Sequence, residues 1–241
     1  MLIRTITEAI WPCIEASVDH FTASRNDAVP QFVRAGTNFS IILGSACYLE
    51  GTLETLLHAL LEHRRSVFSN VEISDFETRR SMNIFYMRLE DDLSARIARS
   101  LGAEGYNDMF ELLMGTPLHE LGGMKPLWEP TTVLFNFRNV LGHGRQVCAR
   151  QFSGGAVPGG FSEEFSGSYR RVEDYLRKVG LLKGRFPDGA SEYLFLTDDI
   201  ADHFWGMAKR IPAAVISSLP KEQSETCTQA FEKIRARPLD T

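Results

Sequence analysis

The sequence predicts an all-α fold, and three features carry that expectation. Apolar residues recur at steps of three and four along nearly the whole chain. The longest such stripe runs from Phe39 to Leu60, far beyond the length of a typical strand. Only EYLFL at 192–196 reads as a strand, and one short strand makes no sheet. The architecture expected is therefore a bundle of long helices with at most one short β segment. At 241 residues, 44% hydrophobic and 24% charged, the chain is long enough to bury a sizeable core. The same composition excludes collagen-like and disordered classes.

Taken in order, the first long stripe comprises Phe39, Ile42, Ala46, Leu49, Leu53, Leu56 and Leu60, with Thr37 or Ser40 placed to cap its start. Ser74-Asp75-Phe76-Glu77 has the form of a capping box and opens a second helix. The face of that helix runs through Phe85, Leu89, Leu93, Ile97 and Leu101 until Gly102 stops it. A short helix over 106–114 and the loop GTPLHELGGMKP follow. Pro130 suits the first turn of a helix through Val133, Leu134, Phe137, Val140, Leu141 and Val147. SGGAVPGG at 153–160 is a loop, and helical pattern returns over 163–182 around Tyr169, Val172, Tyr175, Leu176 and Val179. Thr197 or Asp198 caps a helix reaching about Ser218, and Pro220 opens a last, charged one. Residues 1–36 read as a helical appendage, 37–218 as the main helical domain, and 219–241 as a charged helix and tail.

Charge and composition narrow the function. There are 26 Lys+Arg against 31 Asp+Glu, a net charge of -5, so the chain is no general polyelectrolyte-coating protein. Any nucleic-acid function must rest on a local patch. Cys13, Cys47, Cys148 and Cys227 lie far apart without zinc-site spacing and read as free thiols in a reducing compartment. Glu8, Pro12 and Glu15 interrupt the N-terminal apolar stretch, which makes a poor signal peptide. No apolar run is long enough to span a membrane, so the expected location is the cytoplasm, without membrane partners. GxGxxG, GxxxxGK[ST], HExxH and GxSxG patterns are absent: His119-Glu120 starts like HExxH, but Gly123 stands where the second histidine belongs. No metal and no cofactor is expected.

One stretch stands apart, LFNFRNVLGHGR at 134–145. On a helix Asn136, Asn139 and His143 share one stripe, at spacings of three, four and seven. Arg138 lies about 140° from His143 by ideal helical geometry, and its long side chain can lean across. A cation, two amides and an imidazole would then stand opposite an apolar stripe, groups suited to a phosphodiester. From Pro130 to Ser162 there is no Asp or Glu, while Arg138, Arg145 and Arg150 give +3. The mean acid density of the chain gives about four acidic residues over that length. A local positive field of this kind is what a phosphate-directed site requires. A core-facing helix whose Arg and His cap a neighbour or pair with Glu50 accounts for the same residues structurally.

Arg138-Asn139, three residues, then His143-Gly144 resembles the R-N-x(3)-H-G form of the R-x(4–6)-H signature of the HEPN superfamily, α-helical domains of prokaryotes and higher eukaryotes. Ala46-Cys47-Tyr48-Leu49-Glu50-Gly51-Thr52-Leu53-Glu54 is similar to the aromatic–aliphatic–acid run on that family's earlier long helix. The resemblance covers residues 38–215 in layout and about 20 positions in identifiable motif. It implies a HEPN-like bundle that forms a homodimer, with two motif helices meeting in a cleft. It also implies a metal-independent endoribonuclease, of the kind used as toxins or in antiviral defence, with RNA as substrate and an antitoxin or regulatory protein as a further partner. His143 would be the general acid/base, Arg138 would hold the scissile phosphate, and Asn139 would orient the imidazole or the phosphate. Asn136, Arg145 and Glu50 would assist in binding, Glu50 by orienting Arg138. In one toxin subgroup a Tyr two residues after the His receives a nucleotidyl group; Arg145 stands there in this chain. A catalytically silent scaffold binding a protein, or a nucleotide sensor using the same cleft, are the competing expectations.

The remaining groups have plainer readings. His58 lies about 160° from the centre of its helix's apolar stripe and is expected in solvent, while His63 is expected near that helix's end. His20 and His203 read as packing residues. Arg64-Arg65, Arg79-Arg80 and Arg170-Arg171 read as surface charge, and Asp91-Asp92 and Asp198-Asp199 as a solvated helix face and a capping turn.

Overall fold

The computed structural model describes residues 9–26, 28–69, 76–97, 99, 102–142, 167–182 and 195–236. These form eight α-helices, α1 (Trp11–Ala23), α2 (Gln31–Ser69), α3 (Phe76–Ile97), α4 (Ala103–Met114), α5 (Trp128–Gly142), α6 (Gly167–Lys178), α7 (Asp198–Ser218) and α8 (Lys221–Arg235), with a 3-10 turn at Leu118–Glu120. Among the described residues there is no strand, and the fold is all-α. Phe195 and Leu196, the described end of the strand candidate, form a turn into α7; residues 192–194 lie outside the described set. No described helix is long and apolar enough to cross a membrane.

The chain divides into two compact units. The first comprises residues 1–16, 47–128 and 209–241, the second 17–46 and 129–208. Both α2 and α7 therefore contribute to each. In α7 the division falls at Ala208, whose carbonyl has no helical donor because residue 212, four positions on, is Pro.

The first unit is built around Trp11, 1% exposed. Its ring meets Tyr48 edge-on at 5.8 Å and Phe231 at 5.2 Å, and the Arg235 guanidinium lies over it at 5.3 Å. Its indole N–H donates to Thr55 Oγ1 at 3.2 Å. Gly51 makes that approach possible, since a Cβ there would lie 2.9 Å from the Trp11 Cβ. Gly51 and Thr55 face about 200° and 240° from Leu49 on ideal helical geometry, so α2 is wrapped on the side opposite its leucines as well. Farther along, Arg64 donates twice to the Leu113 carbonyl, at 3.0 and 2.6 Å, closing the C-terminal end of α4. Arg64 is exposed, as expected of surface charge, and also has this carbonyl as a structural partner. Gly115 ends α4 in the left-handed region, φ 70°, with its N–H on the Glu111 carbonyl. Gly123 packs against α7 where a Cβ would come within 2.7 Å of the Ala214 carbonyl oxygen.

The second unit adds a cluster of charges at the start of α7 to its apolar core. Asp198, the first residue of α7, accepts from Arg34 through Nε at 3.1 Å and Nη2 at 2.5 Å, and from Asn38 Nδ2 at 2.8 Å. Arg25 lies 3.8 Å from the same carboxylate and also pairs with Asp202. These donors hold the Asp198 carboxyl below the usual carboxylate range, the Arg34 hydrogen bond first among them. Thr197 caps α7 through a bond from the Ile200 N–H at 3.4 Å. Trp205, about two turns in, donates to Asp19 at 2.8 Å.

Several sequence-based boundaries and exposures move. The long helix starts at Gln31 rather than near Thr37, after Pro30. It ends at Ser69, so His63 is interior, with Nδ1 3.4 Å from the Thr226 hydroxyl. The helix expected to reach 182 stops at Lys178 because Gly180 turns left-handed, φ 76°. His58 is half-buried rather than in solvent, and burial lowers its pKa. Of the apolar face expected on α3, Leu93 and Ile97 are buried but Phe85 and Leu89 are exposed. The Ser74-Asp75 cap, Leu101, Val147, Cys148 and the 153–160 loop lie outside the described residues.

Candidate functional site

The candidate site is carried by α5, whose apolar side fixes its position. Val133, Leu134, Phe137 and Val140 are buried, and Phe137 packs on Phe204 of α7 at 5.8 Å. Phe204 in turn meets Tyr175 of α6 at 6.3 Å. Lys178 of α6 reaches Glu129 in the first turn of α5 at 2.7 Å, and Thr131 lies 3.9 Å from the Met207 sulfur. The opposite side of α5 carries Asn136, Asn139 and Thr132 beside the buried Phe135.

Arg138 does lean across. Its Nε and Nη2 both donate to Asn139 Oδ1, at 3.2 and 2.9 Å. Its guanidinium also lies 5.3 Å from the Phe135 ring centroid, a cation–π distance. Consecutive helical residues diverge by about 100°. The bond therefore forms only because the arginine is long enough to curl back toward its neighbour's stripe. Asn139 is exposed and Arg138 half-buried, so the pair stands at the protein–water boundary. An amide and a ring thus help to set the orientation of a planar cation.

Asn136 lies on the same stripe as Asn139. Its Nδ2 is buried and makes no hydrogen bond with the described residues. Thr132, one turn earlier and within about 40° of it, has a buried Oγ1 in the same condition. Two buried polar atoms without partners on one stripe mark it as unusual, because buried polar groups are nearly always hydrogen-bonded. His143 and Arg145 lie outside the described residues, as does Arg150.

Glu50 is half-buried on α2 in the first unit, and Arg138 belongs to the second. A charge that Glu50 acts on is Glu54, one turn on. Burial raises the Glu54 pKa and the Glu50 carboxylate adds to the effect, opposed by a weak 3.5 Å bond from the Tyr106 hydroxyl. With His58 a further turn along, Glu50, Glu54 and His58 form a titratable row at spacings of four. Sequence reading passed over this row as a whole, although its i, i+4, i+8 spacing was visible. No described ligand-type partner converges on it. Among the described residues no group of three or more His, Cys, Asp or Glu is arranged to hold a metal ion.

In unit two His203 is half-buried, with Nε2 2.7 Å from the Tyr175 hydroxyl and its ring 5.4 Å from Phe204. It is a hydrogen-bonded packing residue of the scaffold beneath α5. Comparison of the chain with protein-family models, with curated proteins and with solved structures finds no match in any of the three.

Proposed function

We propose that the protein is a metal-independent endoribonuclease of the HEPN type, acting as a homodimer on RNA. The observation that carries this reading is the Arg138 guanidinium, turned toward Asn139 on a helix that lies in a stretch of sequence without Asp or Glu from 130 to 162. In this reading Arg138 binds the scissile phosphate and stabilises the charge that develops on it. His143 takes the proton as the ribose 2′-oxygen attacks phosphorus, and the 5′-oxygen leaves with a proton as the P–O5′ bond breaks. The products are a 2′,3′-cyclic phosphate and a 5′-hydroxyl. Asn139 acts by holding the arginine, and Asn136 and Arg145 by contacting the substrate. An imidazole can act as acid or base at physiological pH and a guanidinium is always charged, so the chemistry asks for no metal. A dimer that pairs two such helices doubles the local positive charge of an otherwise acidic chain. The biological setting that fits is a toxin or defence nuclease in the cytoplasm, restrained by a protein partner.

The test is cleavage of RNA by the full chain with EDTA present, with products read for the cyclic phosphate. His143→Ala and Arg138→Ala should each reduce cleavage by about 10²–10⁴-fold. Asn139→Ala, which only loosens the arginine, should cost less. Equal cleavage by wild type and His143→Ala, or none by either, overturns the reading in favour of a catalytically silent interaction module.

A further inference from the structure

Helix α3 carries large apolar side chains with high exposure. Ile84 is 45% exposed, Phe85 62%, Met87 62% and Leu89 39%. The helix is anchored by Leu93 and Ile97, both buried, and by an ion pair between Glu90 and Arg65 at 3.2 Å. On the exposed side, Arg80, Ile84, Met87 and Asp91 fall within about 60° of one another, at spacings of four, three and four. They form one stripe about 16 Å long. Arg80 and Asp91, its two ends, are exposed.

The order of this stripe is cation, apolar, apolar, anion, and it is self-complementary on reversal. The midpoint between Arg80 and Asp91 is also the midpoint between Ile84 and Met87. An antiparallel copy therefore sets each Arg80 against an Asp91 and each Ile84 against a Met87. A parallel copy would set like charge on like charge at both ends. We propose that α3 pairs antiparallel with α3 of a second copy of this chain, about a two-fold axis crossing the helix between residues 85 and 86. An isologous contact of this form is the commonest way for soluble chains to dimerise. The contact stands on a different helix from the ribonuclease reading and does not depend on it.

The full chain should sediment as a dimer that dissociates on dilution. Met87→Asp, or Arg80→Glu, should raise the dissociation constant by about tenfold, since two favourable contacts are lost or turned repulsive per dimer. Asp91→Arg should do the same, and the charge-swapped double variant Arg80→Glu/Asp91→Arg should restore the dimer, which a folding defect would not permit. In a background with Cys13, Cys47 and Cys148 replaced by Ser, mixed Ile84→Cys and Met87→Cys chains should oxidise to an inter-chain disulfide faster than either chain alone. A monomer at every concentration reached overturns the proposal. So does a dimer indifferent to Arg80→Glu and Met87→Asp, an outcome that leaves a dimer through α5 untouched.

Discussion

The two units treat the polar groups of one helix, α2, in opposite ways. In the second unit α2 presents Arg34 and Asn38 to Asp198, and those donors favour the charged form of the carboxyl. In the first unit the same helix carries Glu54 and His58, and burial disfavours the charge of each. The fastening of the first unit is carbon: Trp11 against Tyr48, Phe231 and the bare backbone of Gly51. The lesson is that an ionisable residue on a long amphipathic helix has no fixed meaning. Its contribution depends on whether the helix's second side meets a donor or a ring.

The largest effect expected is on the carbon side. Trp11→Ala should lower the unfolding free energy by about 3–5 kcal/mol in urea titration at neutral pH, through lost burial and the cavity left behind. Gly51→Ala drives a Cβ into the Trp11 Cβ at 2.9 Å and should cost about 1–3 kcal/mol. Neither loss should change with salt. A salt-dependent loss at Trp11, where Arg235 covers the ring, would mean that the cation rather than the carbon holds the unit together.

These two residues also mark where the sequence stops being readable. The stripe Ile42, Ala46, Leu49, Leu53, Leu56 and Leu60 is buried as its period predicts. That period records only the side of α2 facing its leucine partners. Trp11 comes to the other side from 40 positions away, and nothing local to Gly51 or His58 announces it. On α3 the error runs the other way. Phe85 and Leu89 continue the period of Leu93 and Ile97, yet periodicity states amphipathicity and not what covers it. At the candidate site, the lean of Arg138 follows from side-chain length and helical angle, which is why it was legible. That Asn139 accepts from the arginine beside it required coordinates.

A smaller effect separates the units by acid. Asp198→Asn should cost about 1–2 kcal/mol at pH 7, because charge-assisted bonds become neutral ones. The folded pKa of Asp198 is depressed, so its contribution is complete above the unfolded value near 4 and is lost as pH falls through the folded one. Wild type and Asp198→Asn should therefore converge in stability as the solution is taken below about pH 4. A constant gap down to the lowest pH would mean that the Arg34 and Asn38 bonds act as neutral packing.

The smallest effect lies on the carbon side and has the opposite origin. His58 has a folded pKa below its unfolded value near 6.5, because burial opposes its charge more than Glu62 favours it. Its neutral form is bound by the fold, so its contribution is complete above that pH and falls as the solution is acidified through 6.5, levelling off below the folded pKa. Glu54, raised by burial, acts in the contrary direction: its penalty is relieved as pH falls from its raised value toward 4.5. The two must be separated by substitution. Between pH 7 and about 5, His58→Gln should lose less stability than wild type, while Glu54→Gln should lose as much or more. If His58→Gln and wild type decline in parallel, the far side of α2 is wetter than the Trp11 contacts imply. The contrast between a helix end that welcomes charge and a helix middle that resists it would then reduce to Asp198 alone.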